Sequence, residues 1–406
     1  MKPSINVCLV KMMCKELFKR AEEIIERLEQ AGFAGYIVGG AVRDTLLHRK
    51  IGDMDIATDA KPEEVQALFP KVVPTGIQHG TVLVRHHGLS FELTTFRTES
   101  GYSDFRRPDQ VRFVTELQTD LSRRDFTINA IAMDRFQTII DPFGGQTDMQ
   151  RRLVRTVGNP ADRFQEDPLR MMRAIRFQAQ LGFAIAENTM TAMRAHAHLI
   201  RHIAVERLAI EWEKMMTGDY FSHAKEGLLQ SGLLRYLPVF TDNQPLHRLF
   251  ATVDQPFTGW ANWIAYMDIA CPNSSVTDWV REWKLSNQVK KDSKLLVHLY
   301  QSFQHEPIEW TVYQLPNALM DDFLQLLTRL GFSDLTAKDI ASYQEQLPIK
   351  IRQEMAVDGK DLQQFFPNRP RGAWLREQLE VLEKAIVLQE IVNDYDTIRE
   401  WLKHGN

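Results

Sequence analysis

The chain has 406 residues, 44% of them hydrophobic and 25% charged, and a net charge of −4. That length exceeds one ordinary domain, so roughly two to four modules are expected, and no run approaches the ~18 uninterrupted apolar residues of a membrane helix. If the partner is nucleic acid, the negative balance means it is held by local basic patches and not by the global field.

Residues 1–12 lack the long apolar core and cleavage site of a secretory signal and read as an extended start or loose arm. Cys8, Cys14 and Cys271 form an odd set with no pair at metal spacing, which implies no disulfide framework and fits reduced thiols in a cytoplasm. Lys15 to Gln30 has helical periodicity, with Leu17, Ala21, Ile24, Ile25 and Leu28 on one side. Tyr36-Ile37-Val38 reads as a short apolar strand, Gly39-Gly40 as a turn without Cβ obstruction, and Ala41 to Leu47 as a helix whose first amides point back at the glycines. Val38 to Arg43 is then a candidate triphosphate cradle, Arg43 adding charge-assisted hydrogen bonds from the first helical turn.

In Ile51 to Thr58 an extended backbone would project Asp53 and Asp55 together while Met54 and Ile56 pack on the other side. Paired carboxylates suit Mg2+, a hard cation usually held by one or two acids plus substrate phosphates. Phe91 to Phe96 is the next strand-like run, and its Glu92 is the candidate third acid, supplied from a neighbouring strand. A lone Gly-Gly is most often a turn and a lone Asp-x-Asp a solvated loop. Their order and spacing, with Arg43 between them, favour nucleotidyl transfer.

Strands and helices mix up to about Gln150, and helical patterns dominate beyond, as in Asp167 to Leu181 and Val205 to Met216. Pro238, Pro245, Pro272, Pro307, Pro316 and the 367–372 segment punctuate that part. The eight tryptophans, mostly beyond Trp212, read as packing residues. Asp167, Arg170, Arg173 and Arg176 recur every third position, predicting one polar ridge on a helix. Asp167 and Arg170 could form an ordinary surface ion pair. The sharper reading is chemical: a carboxylate accepting from an exocyclic amine, beside a guanidinium donating to a ring nitrogen, matches cytosine and adenine and opposes guanine and uracil. Arg173 and Arg176 would then be free to face phosphates.

With these constellations in place, the chain resembles the class II tRNA nucleotidyltransferases, the CCA-adding enzymes, which share their head with bacterial poly(A) polymerases. The resemblance is carried by Gly39-Gly40-x-x-Arg43-Asp44, Asp53-x-Asp55, the segment from Phe96-Arg97-Thr98-Glu99 to Arg106-Arg107-Pro108, Arg123-Arg124-Asp125-Phe126-Thr127-Ile128-Asn129-Ala130, Asp141-Pro142-Phe143-Gly144-Gly145 and Arg163-Phe164-x-Glu166-Asp167-x-x-Arg170. A thinner match lies at Val357 to Leu362 and Gly372 to Leu375.

The resemblance implies an α+β fold: a nucleotidyltransferase head over 1–150, then an all-helical neck (151–218), body (219–320) and tail (321–406). It implies Mg2+ on Asp53 and Asp55, nucleotide contacts from Gly40, Arg43 and Arg124, and base reading by Asp167 and Arg170 with Glu166 as buttress and Arg173 and Arg176 completing the site. It makes Thr98 to Pro108 the loop that helps switch from C to A addition. The substrates would be the tRNA 3′ end, CTP and ATP, in a cytoplasmic protein that makes no membrane contact and can form a homodimer. An A-adding or CC-adding specialist, a poly(A) polymerase and an RNA-binding regulator with an inactive head are the competing readings.

Overall fold

A computed structural model describes residues 7–102, 105 and 108–403. The chain divides into two compact units, Met1–Asp242 with Phe250–Pro256, and Asn243–Leu249 with Phe257–Asn406. The first unit opens with helix α1 (Val7–Gln30). Residues 7–12, expected as an arm, are therefore helical: neither Gly nor Pro occurs between Val7 and Lys15 to stop the helix. Residues 1–6 of that expectation lie outside the described residues.

On α1 the predicted apolar face is present, with Ala21, Ile24, Ile25 and Leu28 fully buried, each large side chain contributing about 1.5–3 kcal/mol. That face lies on β1 (Gly35–Val38) so closely that a Cβ on Gly35 would meet Leu28 and Ile25 at 3.2–3.3 Å. After β1 come α2 (Gly40–Leu46), β2 (Asp55–Thr58), α3 (Pro62–Leu68), β3 (Val72–Gly76), β4 (Thr81–His86) and β5 (Leu89–Thr95). A hairpin of β6 (Arg97–Ser100) and β7 (Gln110–Phe113), helix α4 (Leu117–Ser122), β8 (Ala132–Met133), β9 (Ile139–Ile140) and α5 (Gly145–Gln150) follow.

One seven-stranded sheet carries the order β3-β4-β5-β2-β1-β8-β9. All its pairings are antiparallel except β2 with β5, which is parallel and sets Asp55 beside Glu92. Strand β2 starts only at Asp55, so the extended run predicted from Ile51 is shorter; Met54 and Ile56 are nevertheless buried.

Strand pairing does not end at residue 150. A two-stranded parallel pair of β10 (Leu153–Val154) and β11 (Ala184–Ile185) brackets α6 (Pro160–Glu166) and α7 (Leu169–Leu181). Helices α8 (Glu187–His196), α9 (Val205–Met216) and α10 (Phe221–Ser231) complete the helical part of this unit, and α11 (Gln244–Thr252) has residues in each unit.

The second unit is helical from α12 (Trp260–Ala270) to α20 (Tyr395–Lys403), around a core that includes Leu296, Leu299, Phe323, Leu326, Ile340, Leu382 and Ile398. Trp212, Trp263, Trp279 and Trp283 are fully buried, as packing residues should be. Cys271 is a buried free thiol. Among the described residues, no helix is long and apolar enough to cross a membrane.

Candidate active site

At the end of β1 the chain turns through Gly39, with φ 72°. The left-handed backbone favours glycine there, and a Cβ would also lie 3.0 Å from Nη1 of Arg124. Arg124 is thus folded against the glycine turn, its Nη2 donating to Asp120 at 3.4 Å and its Nε buried with no hydrogen-bond partner. Burial lowers its pKa, while Asp120 and then Asp55 pull the other way. An arginine in this setting has unspent donor capacity for an anion.

Asp55 and Glu92 are register partners on adjacent parallel strands, so their side chains leave the same face of the sheet. Asp53 precedes the strand and is exposed. Burial, then the charge of Asp53, raises the Asp55 carboxyl, with Arg124 opposing. Burial and then Asp55 raise Glu92 in the same way. Two acids held side by side with raised pKa values are a donor set that a hard divalent cation would satisfy. The three acids are not drawn into a tight cluster, however: among the described residues, the only trio with ligand atoms all within 4.8 Å is Glu23, His86 and His87.

Arg43 is already engaged. Its Nε and Nη2 donate to the two oxygens of Asp44 at 3.0 and 2.8 Å, and Nη1 donates to Oδ1 of Asn129 at 2.6 Å. Its guanidinium also sits 5.1 Å from the ring centroid of Phe177. Asn129 in turn donates to Oδ1 of Asp125 at 3.0 Å, and Arg173 donates from Nε to Oδ2 of Asp125 at 2.7 Å. Burial alone would raise Asp125, but Arg173, Asn129 and Arg170 hold its carboxyl well below the usual range.

The predicted ridge is broken. Asp167 has extended backbone, φ −142°, and α7 begins only at Leu169. The cause is Pro168, whose ring disfavours helical backbone at the residue before it. The side chains of Asp167 and Arg170 are also not each other's partners, although Arg170 N donates to the Asp167 carbonyl at 3.0 Å. Asp167 is gripped by Arg207, whose Nη2 donates to Oδ2 at 2.8 Å and Nη1 to Oδ1 at 3.4 Å. Arg170 donates from Nη1 to Glu166 at 2.6 Å and to the Arg163 carbonyl at 3.3 Å, and from Nη2 to the Arg123 carbonyl at 3.2 Å.

Arg170 therefore has Glu166 as a direct partner. Arg173 and Arg176, expected to face phosphates unpaired, have protein partners instead: Arg173 pairs with Asp125, and Nε of Arg176 lies 3.0 Å from Glu211. Burial lowers Arg176 to about 10, Glu211 working against it. Helix α7 is buried nearly all round, so any arginine on it needs a carboxylate.

A cleft of ≈ 670 Å³ gathers Gly39, Gly40, Arg43, Asp53, Asp55, Glu92, Arg124, Asp167, Arg170, Arg173 and Arg176 along its walls. That volume suits a nucleotide-sized ligand. Of the predicted site residues only Glu166 is not in its lining; it acts from behind Arg170. A second recess of ≈ 380 Å³ shares Arg97, Glu99, Arg123, Asp167, Arg170 and Arg207 and extends to Tyr102 and Pro108. It joins Asp167 and Arg170 to the β6–β7 hairpin, where Tyr102 donates to Glu99 at 2.8 Å and Phe105 stacks on His202 at 4.5 Å. Ser103, Asp104, Arg106 and Arg107 of the expected switching loop lie outside the described residues.

Sequence reasoning missed Asp125, Asn129, Arg207 and Glu211. The four-residue spacing of Asp125 and Asn129 in the Arg-Arg-Asp motif was the one local signal; Arg207 and Glu211 lie 40 and 38 residues or less from the side chains they meet and leave no local trace.

Three family models match the chain: Poly A polymerase head domain over 35–155, "Probable RNA and SrmB- binding site of polymerase A" over 182–243, and tRNA nucleotidyltransferase domain 2 over 253–402. Among similar proteins, the CCA-adding enzyme of Oceanobacillus iheyensis is 42% identical over 392 residues, covering 96% of this chain and 98% of its own length. That of Geobacillus stearothermophilus is 41% identical over 404 residues, covering 97% and 98%. The crystal structure of the Bacillus stearothermophilus CCA-adding enzyme in complex with CTP superposes with a TM-score of 0.85 at 40% identity, covering 95% of this chain and 97% of that one. A cleft that pairs strand-borne acids with a carboxylate and a guanidinium beside them is thus set in a chain that, from end to end, belongs to the CCA-adding enzyme family.

Proposed function

We propose that the chain adds C, C and A to the 3′ end of tRNA from CTP and ATP, without a nucleic-acid template and with release of pyrophosphate. The observation that carries this reading is the register of Asp55 beside Glu92 in the same cleft as Asp167 and Arg170. The strand-borne acids support phosphoryl chemistry, and the carboxylate with its guanidinium supports a base-selecting edge. CTP is the ligand of the similar Bacillus stearothermophilus structure.

Asp53 and Asp55 would hold Mg2+, which when bound neutralises charge on the attacking and leaving oxygens of an in-line displacement. Arg124, with its Nε unpaired, and Arg43 face the triphosphate. Glu92 is the acid whose raised basicity suits accepting the proton of the tRNA 3′-hydroxyl. Asp167 accepts from the exocyclic amine of cytosine or adenine. Three of the five N–H donors of Arg170 serve the protein, and the remaining two are available to a ring nitrogen. Guanine and uracil present the opposite order of donor and acceptor to these two groups, which is the basis for rejection. The head (1–150), neck (151–218), body (219–320) and tail (321–406), a cytoplasmic setting and a homodimer are parts of the same proposal, with body and tail supplying contacts to the tRNA backbone.

The test supplies purified protein with tRNAs lacking the terminal triplet, ending after both Cs, and complete, each with one labelled nucleotide. Two C additions followed by one A are expected; A alone, C alone or an unending A tract would each identify a different activity. Asp53→Ala should abolish addition while tRNA affinity stays near normal, and retained addition would overturn the metal assignment.

A further inference from the structure

Away from the cleft, β4 and β5 are joined by the two-residue turn His87-Gly88, both residues having positive φ, 47° and 81°. The hairpin closes on the pair His86 and Leu89. Turns of this kind prefer Asn-Gly or Asp-Gly, although histidine is among the residues that tolerate left-handed backbone. The left-handed kink at His87 interrupts the alternation that would send neighbouring side chains to opposite faces. As a result the rings of His86 and His87 lie 4.5 Å apart, at 80° to one another.

Both imidazoles converge on one oxygen of Glu23 on α1, with Nε2 of His86 at 2.9 Å and Nε2 of His87 at 3.8 Å from Oε2. Arg20, three residues earlier on the same helix, steadies that carboxylate by donating from Nη1 to Oε1 at 2.8 Å and to Oε2 at 3.0 Å. Ligating carboxylates are commonly held by such an outer partner. The side chains of Glu23, His86 and His87 are 31%, 21% and 57% exposed, so the point of convergence is open to solvent.

We propose that Glu23, His86 and His87 form a site for a divalent transition-metal ion, Zn2+ being the probe ion, that ties α1 to the β4–β5 turn. Two imidazoles and one carboxylate with a fourth position left to water are an established zinc donor set, whereas Mg2+ and Ca2+ favour all-oxygen shells. Zinc bonds of this type hold neighbouring ligand atoms about 3.3 Å apart in a tetrahedron. The observed spacings of 2.9 and 3.8 Å to Glu23 bracket that value, and one ligand atom from each of the three residues lies within 4.8 Å of the others, so side-chain rotations can bring them onto one ion. The ion would take the place of the shared proton between His86 and Glu23.

The experiment uses full-length protein carrying Asp53→Ala and Asp55→Ala, which removes the two aspartates assigned to Mg2+ in the cleft, stripped with EDTA and titrated calorimetrically with ZnCl2. One ion per chain is expected, with a rise in melting temperature. Adding His87→Asn should weaken binding at least tenfold and cancel the zinc-dependent rise, and Glu23→Gln should do the same. His87→Asn is chosen because asparagine suits the turn, so its melting temperature in EDTA should equal or exceed the parent's. Zinc binding that is absent in the parent, or unchanged by His87→Asn, would overturn the proposal.

Discussion

Asp167 has both carboxylate oxygens engaged before any nucleotide arrives, and Arg207 engages them. A carboxylate offers about four acceptor positions, so this pairing leaves room for a base amine while preventing the side chain from turning away. Under the proposed base-reading role of Asp167, Arg207 is a positioning residue. Arg207→Ala is expected to lower kcat/KM for CTP and ATP roughly tenfold or more, the worth of a hydrogen bond to a charged group, and to raise the relative use of GTP and UTP. Steady-state kinetics with all four nucleotides checks this; a loss of rate with selectivity intact would mean that Arg207 only supports the fold.

Asp55 carries a second consequence at this scale. Burial and Asp53 raise its carboxyl above the ordinary value, so ionisation works against the folded state. For such a group, stability is greatest below the unfolded value and declines as pH rises through the raised one. In EDTA at pH 8, Asp55→Asn should therefore melt above the parent, with the gap closing toward pH 4. Melting curves across that range decide it, and a parent more stable than the variant at pH 8 contradicts the assignment.

Among the elements, α7 is the hub. It buries residues on every side, Arg170 and Arg176 included, which is why carboxylates from outside the helix reach in: Asp125 to Arg173 and Glu211, from α9, to Arg176. At its C-terminal end the chain passes close against it at Gly218, where a Cβ would lie 2.6 Å from the Ala179 carbonyl oxygen and 2.7 Å from the Ala179 Cβ. Tyr220 N donates to that same carbonyl at 2.9 Å. The carbonyl is backbone and the Cβ has no rotamer to change, so neither can swing aside. Gly218→Ala should cost about 1–3 kcal/mol of overpacking, read as a lowered urea midpoint with an unchanged slope.

Over the whole molecule, what could be read ahead of the structure was what local rules control. The two-residue alternation of strands placed Asp55 on a face, and the apolar run around Glu92 marked its strand; the parallel register that sets them side by side depends on pairing across the sheet. Pro168 carried the signal for the break after Asp167, but the regular spacing of Arg170, Arg173 and Arg176 concealed it. The partners of those arginines were invisible, since Asp125 is 48 residues from Arg173 along the chain. The second unit offered helices and no chemical motif, its core being assembled from residues as distant as Leu296 and Leu402.

The polar line from Arg43 through Asn129, Asp125, Arg173 and Glu211 to Arg176 is continuous. Replacements within it are therefore expected to have coupled, non-additive effects. For a lineage drifting under selection, each such position is closed to change until its neighbour has already moved. Novelty in this cleft must then arrive by paired replacements, and the innermost residues of the line should be the last to vary.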